Sequence, residues 1–207
     1  MLMRRPGQPQ RFQSLSARDR IDSAAYELFS RRGVRAVGVN AVIARSGVAK
    51  KTLYLHYPSK QELVLAFLRR REELWTRAWL QESVARRAGS PAARLLAVFD
   101  VFDRWFRRSD FEGCAFIKVL LEHDDRAHPI RESAEGHVRT VRDFLRQLAQ
   151  EAHVPDPDGF ARQWQILMIG GIIAAYAGDR NAARRARKLG VMLLADAISA
   201  SRGRAHR

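Results

Sequence analysis

Six of the donor-bearing side chains between positions 50 and 60 stand out: Lys50, Lys51, Thr52, Tyr54, His56 and Lys60. Three ammonium groups, a hydroxyl, a phenol and an imidazole can all donate to an acceptor-rich, negatively charged surface, whether phosphate oxygens or the edges of bases. Asn40 and Arg45, shortly upstream, extend the same chemistry. Catalysis is not indicated. No Ser-His-Asp set and no Gly-rich phosphate loop stands in an interpretable context, and the scattered carboxylates read as surface pairs such as Glu82 with Arg86. The single cysteine, Cys114, excludes an intramolecular disulfide framework and any multi-cysteine metal cluster, and it reads as a small buried apolar group. His123 and His137 lack a short i, i+4 ligand spacing. No enzyme activity, cofactor or metal is expected.

The charge distribution agrees with a polyanionic partner. The 207 residues carry a formal charge of +15, from 37 basic and 22 acidic side chains. Residues 1–60 hold 12 basic and 3 acidic groups, residues 61–178 hold 17 of each, and residues 179–207 hold 8 and 2. A basic end joined to a balanced body suits a module that docks on nucleic acid or on an acidic membrane surface. A compositional preference for Arg explains the choice of cation but not the neutral middle. With 46% hydrophobic residues the chain can bury a substantial core. Its longest strongly apolar run, Gln165 to Ala177, falls short of the ~18–20 residues that a spanning helix needs.

Apolar residues recur at three and four positions rather than two, which predicts helices nearly throughout. Ser16 caps a first helix with Asp19 three residues on, and Ile21, Ala25, Leu28 and Phe29 form its apolar stripe up to Gly33. A short second helix from Gly38 ends at Ser46-Gly47, and a third runs from Val48 through Tyr57. Two short helices about a tight glycine turn, resting on a longer one, describe a helix-turn-helix. Ser59 and Glu62 then cap a long helix carrying Leu63, Phe67 and Leu74, which connects this module to the body. Leu95, Phe99, Phe102 and Phe106 form a buried stripe after Gly89-Ser90-Pro91, and the two final helices run roughly from Phe160 to Ala177 and from Ala182 to Ser199.

From Gly38 to Leu63 the segment Gly-Val-Asn-Ala-Val-Ile-Ala-Arg-Ser-Gly-Val-Ala-Lys-Lys-Thr-Leu-Tyr-Leu-His-Tyr-Pro-Ser-Lys-Gln-Glu-Leu resembles the DNA-binding signature of TetR/AcrR-family regulators. The Ser-Gly-Val turn, the Thr-Leu-Tyr-x-His-Tyr helix and the Pro-Ser-Lys-x-Glu-Leu start of the next helix stand in one register. Gly38, Ala49 and Lys51 depart from that pattern, where Thr, Ser and Gly are frequent; two hydroxyls are lost and one charge is gained near the groove. The resemblance implies an all-helical homodimer with an N-terminal DNA-binding domain and a C-terminal domain for dimerisation and ligand binding. Lys50, Lys51 and Thr52 occupy the leading turn of the recognition helix, Leu53 is its buried knob, and Tyr54 and His56 donate to phosphates. Lys60 adds a charge to a helix N-terminus that already favours an anion.

A ligand-responsive body needs a cavity. Trp75, Trp79, Phe102, Trp105, Phe106, Phe116, Trp164 and Met168 are its expected lining, with Trp105 foremost because it stands beside the Leu95–Phe106 stripe and faces a different cavity. Trp164, Leu167, Gly171, Ala174 and Ala175 on the penultimate helix, with Leu189, Leu193 and Leu194 on the last, are expected to form a four-helix interface with a second copy. The expected layout is a basic arm (1–13), a helix-turn-helix domain (14–58), an effector-binding and dimerisation domain (59–200) and a basic tail (201–207). The resulting expectation is a cytoplasmic, homodimeric, one-component repressor that binds a pseudo-palindromic operator and is released by a small apolar or amphipathic ligand. An effector-independent DNA-architectural protein is the alternative.

Overall fold

The computed structural model describes residues 15–205, with side chains through residue 199, so the expected arm (1–13) and the side chains of the expected tail lie outside the described residues. Helix α1 (Ala17–Arg32) starts where the Ser16 hydroxyl accepts from the Asp19 amide at 3.1 Å and ends at Gly33. Helix α2 (Val39–Ser46) ends at Gly47, whose φ of 65° is a left-handed conformation that glycine adopts without strain. Helix α3 (Lys50–His56) follows at once. Ile21, Ala25, Phe29, Val42 and Leu53 meet in one apolar cluster, so the buried knob expected at Leu53 is fully enclosed.

Helix α4 (Lys60–Glu72) opens with the Ser59 hydroxyl accepting from the Glu62 amide at 3.1 Å. It continues through a π-helical segment (Glu73–Gln81) into α5 (Glu82–Arg87). The i→i+5 pattern of this segment adds a residue to each turn and rotates the inward face. Trp75, Thr76 and Leu80 are consequently buried, whereas Leu74, expected on the buried stripe, is exposed.

The body consists of α6 (Pro91–Phe106), α7 (Ala115–Glu122), α8 (Pro129–Glu151), α9 (Pro157–Tyr176) and α10 (Ala182–Ala205). Helices α6, α8, α9 and α10 pack around a second apolar cluster that includes the complete Leu95–Phe99–Phe102–Phe106 stripe. Helix α10 runs on to Ala205, past the Ser199 at which the sequence pattern ends it; Gly203 does not break a helix that has already propagated for five turns. The chain is all-helical across its described residues, as the periodicity predicts.

Candidate nucleic-acid interface and its link to the body

The turn at Gly47 and the Leu53 anchor orient α3 so that its outer face is free. Lys50, Lys51 and Tyr54 are exposed, and Thr52 and His56 are half-buried at its sides. Tyr57, just past the helix, is buried: its hydroxyl donates to Asp22 Oδ1 at 2.5 Å and the Arg18 guanidinium lies over its ring. Burial first, then the neighbouring Asp22, pushes the phenol above its ordinary value, so the proton that makes this bond is retained. Tyr57 therefore ties the end of the recognition helix to α1.

The remaining expected contacts differ in availability. Asn40 is exposed on α2. Arg45 is exposed too, but its guanidinium is paired with Glu27 at 2.7 Å, a carboxylate that also lies 3.8 Å from Arg31, so a phosphate there competes with an existing ion pair. Lys60 is half-buried in the first turn of α4; desolvation pulls its ammonium below the ordinary value, and the Glu122 carboxylate acts in the opposite direction. Sequence reasoning passed over Leu55, which is 80% exposed on the recognition helix. Its only sequence signal is position, two residues from the buried knob and therefore on the far side of the helix.

Helix α7 fastens the body to this module. Glu122 Oε2 accepts from the Arg35 amide at 3.1 Å, and Lys118 Nζ donates to the Ser30 carbonyl at 3.3 Å. Just before α7, Glu112 lies 3.3 Å from Arg31, while on α4 Arg71 donates to the Tyr26 hydroxyl at 2.8 Å. Partial burial raises Glu112 and lowers Lys118 from their ordinary values. Ala115, Phe116 and Val119 join the apolar cluster of α1–α4, which thus extends into the body.

Behind α7 the predicted pocket residues form a packed array. Trp75, Trp79, Phe102, Trp105 and Phe106, joined by Phe111, hold their ring centroids 4.9–6.1 Å apart, mostly edge-to-face or tilted. Trp105 faces this same array and not a separate cavity, because it packs against Trp75 and Trp79 from the π segment as well as against its own helix. Phe116 stacks on His137 at 3.4 Å, and the Thr76 hydroxyl lies 3.4 Å from His137 Nδ1. Burial, with a smaller contribution from Arg71, lowers the imidazole to about 3, so its 3.9 Å approach to Glu72 is not an ion pair at neutral pH. The buried indole N–H of Trp75 has no acceptor among the described residues. Trp164 and Met168 lie elsewhere in the core, Trp164 between Phe99 and Phe160. An open cleft of about 800 Å³ between the π segment and α8 is lined by polar residues including Arg77, Glu82, Thr140 and Gln147, and by none of the eight predicted pocket residues.

The expected interface residues also divide. Trp164, Gly171 and Leu194 are buried inside the protomer, and Leu167, Ala174, Ala175 and Leu193 are half-buried against its core. Gly190 explains the close seat of α10: a Cβ there would lie 2.9 Å from Phe99 and 3.0 Å from Trp164. Leu189 is exposed, together with Ile166, Ile173, Tyr176, Val191 and Met192. The penultimate helix is apolar on both sides, so periodicity selected its inward stripe.

An all-helical fold that presents a short basic helix beside a glycine turn, fastened to a larger bundle, defines a helix-turn-helix regulator. The family described as "Bacterial regulatory proteins, tetR family" matches residues 21–67, and "Tetracyclin repressor-like, C-terminal domain" matches residues 91–189. A TetR-type transcriptional regulator of Streptomyces avermitilis MA-4680 has the same fold with a TM-score of 0.80 and 32% identity, over 88% of this chain and 98% of that one. A TetR-family regulator of Streptomyces coelicolor gives 0.80 at 25% identity, over 87% and 95%. The HTH-type transcriptional regulator YjdC of Escherichia coli K12 is 22% identical over 156 residues, 74% of this chain and 80% of its own length. The chain belongs to the TetR family of DNA-binding transcriptional regulators, a family without enzymatic activity.

Proposed function

We propose that this regulator is a homodimeric repressor that binds a pseudo-palindromic operator through two helix-turn-helix modules and is released by a small apolar or amphipathic ligand. On this reading residues 14–58 read the operator from the cytoplasm and residues 59–200 bind the effector and a second copy. The observation that carries it is the double attachment of Phe116. That ring belongs to the apolar cluster of the DNA-reading module, yet it stacks on His137 within the body. A ligand that enters among Trp75, Trp79, Phe102, Trp105 and Phe106 must displace packed rings, and His137 and Phe116 carry that displacement into α7. The Trp75 N–H, without an acceptor among the described residues, supplies one donor for a polar end of the ligand. Release then follows if the ligand favours a form whose heads no longer match major grooves roughly 34–36 Å apart.

Dimerisation is supported by the exposed apolar residues Ile166, Ile173, Leu189 and Met192 on the last two helices. Sedimentation at micromolar concentration is expected to give a dimer, and Ile166→Glu with Met192→Glu a folded monomer that loses operator affinity. Footprinting on the DNA that flanks its own gene is expected to give a protected palindrome. Uniform coverage, or a wild-type monomer, would overturn the proposal.

A further inference from the structure

On a basic, hydrogen-bonding helix, Leu55 is an anomaly. It is 80% exposed, and it is neither part of the apolar cluster of α1–α4 nor packed against it. At about 100° per residue, Leu55 stands roughly 200° around α3 from Leu53, opposite the buried anchor. Lys51, one turn earlier, shares that outermost face, while Thr52 and Tyr54 flank it. The most exposed large apolar side chain of the module is therefore a branched alkyl group between an ammonium and two hydroxyls.

We infer that Leu55 reads thymine, by packing against a C5-methyl group in the major groove. The flanking Lys51, Thr52 and Tyr54 direct this face to a polyanion, and along a major groove the thymine methyl is the apolar feature of the base edges. An alkyl group gains nothing from phosphate oxygens and little from the polar edges of the other bases. Contact with the methyl removes both from water and discriminates thymine from cytosine at that step. The inference rests on the DNA-binding reading of α3 and assigns one base preference within it.

Substitution of thymine by deoxyuridine removes the methyl and leaves the pairing unchanged. Duplexes enriched from a random library by the purified full chain serve as probes, each then resynthesised with single and symmetric deoxyuridine replacements. At one thymine per half-site the replacement is expected to weaken wild-type binding about fourfold, and roughly fifteenfold when both half-sites carry it. Leu55→Ala, at an exposed site, is expected to retain the wild-type unfolding curve and to bind thymine and deoxyuridine duplexes equally. Indifference of the wild type at every thymine overturns the assignment, as does unchanged sensitivity in Leu55→Ala. Enrichment of no duplex overturns the DNA-reading role of α3 itself.

Discussion

Gly33→Ala tests the joint between the two parts of the molecule. Gly33 has φ 80° and ψ 160°, a region essentially restricted to glycine, and an added Cβ would collide with Glu122 Oε1. The backbone strain costs about 1–3 kcal/mol. The carboxylate must also swing aside and abandon the Arg35 amide; that bond is solvent-accessible, so its loss costs about 0.5–1.5 kcal/mol. The substitution is expected to destabilise by about 1.5–4.5 kcal/mol in total. Urea unfolding at fixed protomer concentration, performed as a double-mutant cycle with Glu122→Ala, separates the two parts. In the Glu122→Ala background only the strain should remain, and the coupling should be about 1 kcal/mol. A cost below about 0.5 kcal/mol in the wild type would refute the backbone argument, being within the usual scatter of surface substitutions. Equal costs in both backgrounds would refute the contact.

His137 makes stability depend on pH in a defined direction. Its imidazole is held at about 3 when folded but near 6.5 when unfolded, so below about 6.5 the unfolded chain binds the extra proton. Its contribution is fully present above about 6.5 and declines by up to about 1.4 kcal/mol per pH unit as pH falls toward the folded value. Urea midpoints at pH 7.5 and 5.5 should fall less in His137→Gln than in the wild type, and parallel losses would contradict burial as the cause. At the proposed DNA interface, Tyr54→Phe and Lys60→Gln should each weaken all operators similarly, but only Lys60→Gln, which removes a charge, should reduce the salt slope, by about one; an unchanged slope there would show that Lys60 neutralises no phosphate.

Local signals made the helix-turn-helix legible. Ser16, Ser59, Gly33 and Gly47 act on backbone groups within a few residues of themselves, so their roles as caps and turn follow from type and spacing alone. The body was legible as helices and stripes but not as contacts. The π segment moved Trp75 inward and Leu74 outward, and no heptad pattern anticipates a change of helical pitch. Trp105 was expected beside the stripe, and it meets a partner supplied by that same shift. Long-range polar joints such as Glu122 with the Arg35 amide are 87 residues apart in sequence, and neither group carries a distinguishing pattern. Charge counting located a basic excess at both ends but not its partners: Arg184, Arg185 and Arg187 on α10 are paired with Asp103, Asp179 and Asp100.

These joints bear on how a ligand could reach DNA. The link between the apolar clusters has two parts: α7 contributes Ala115, Phe116 and Val119 and α8 contributes Ile130 and Ala134 to the cluster of the DNA-reading module, while Lys118 and Glu122 hold the Ser30 carbonyl and the Arg35 amide at the end of α1. Helix α4 makes the second connection, through Phe67 against Tyr26 and Phe29 and through Arg71 on the Tyr26 hydroxyl. The polar contacts of α7 and α4 act on α1, whereas the proposed base-reading face lies on α3, which Tyr57 and Leu53 tie to the same helix. Motion of α7 or α4 therefore moves the module as a unit, with α3 carried on α1. Within the proposed dimer, a change in the spacing of two intact heads is expected in preference to distortion of either head, because the bonds that orient α3 lie within the module. Close packing makes such a joint switch between discrete arrangements instead of deforming gradually.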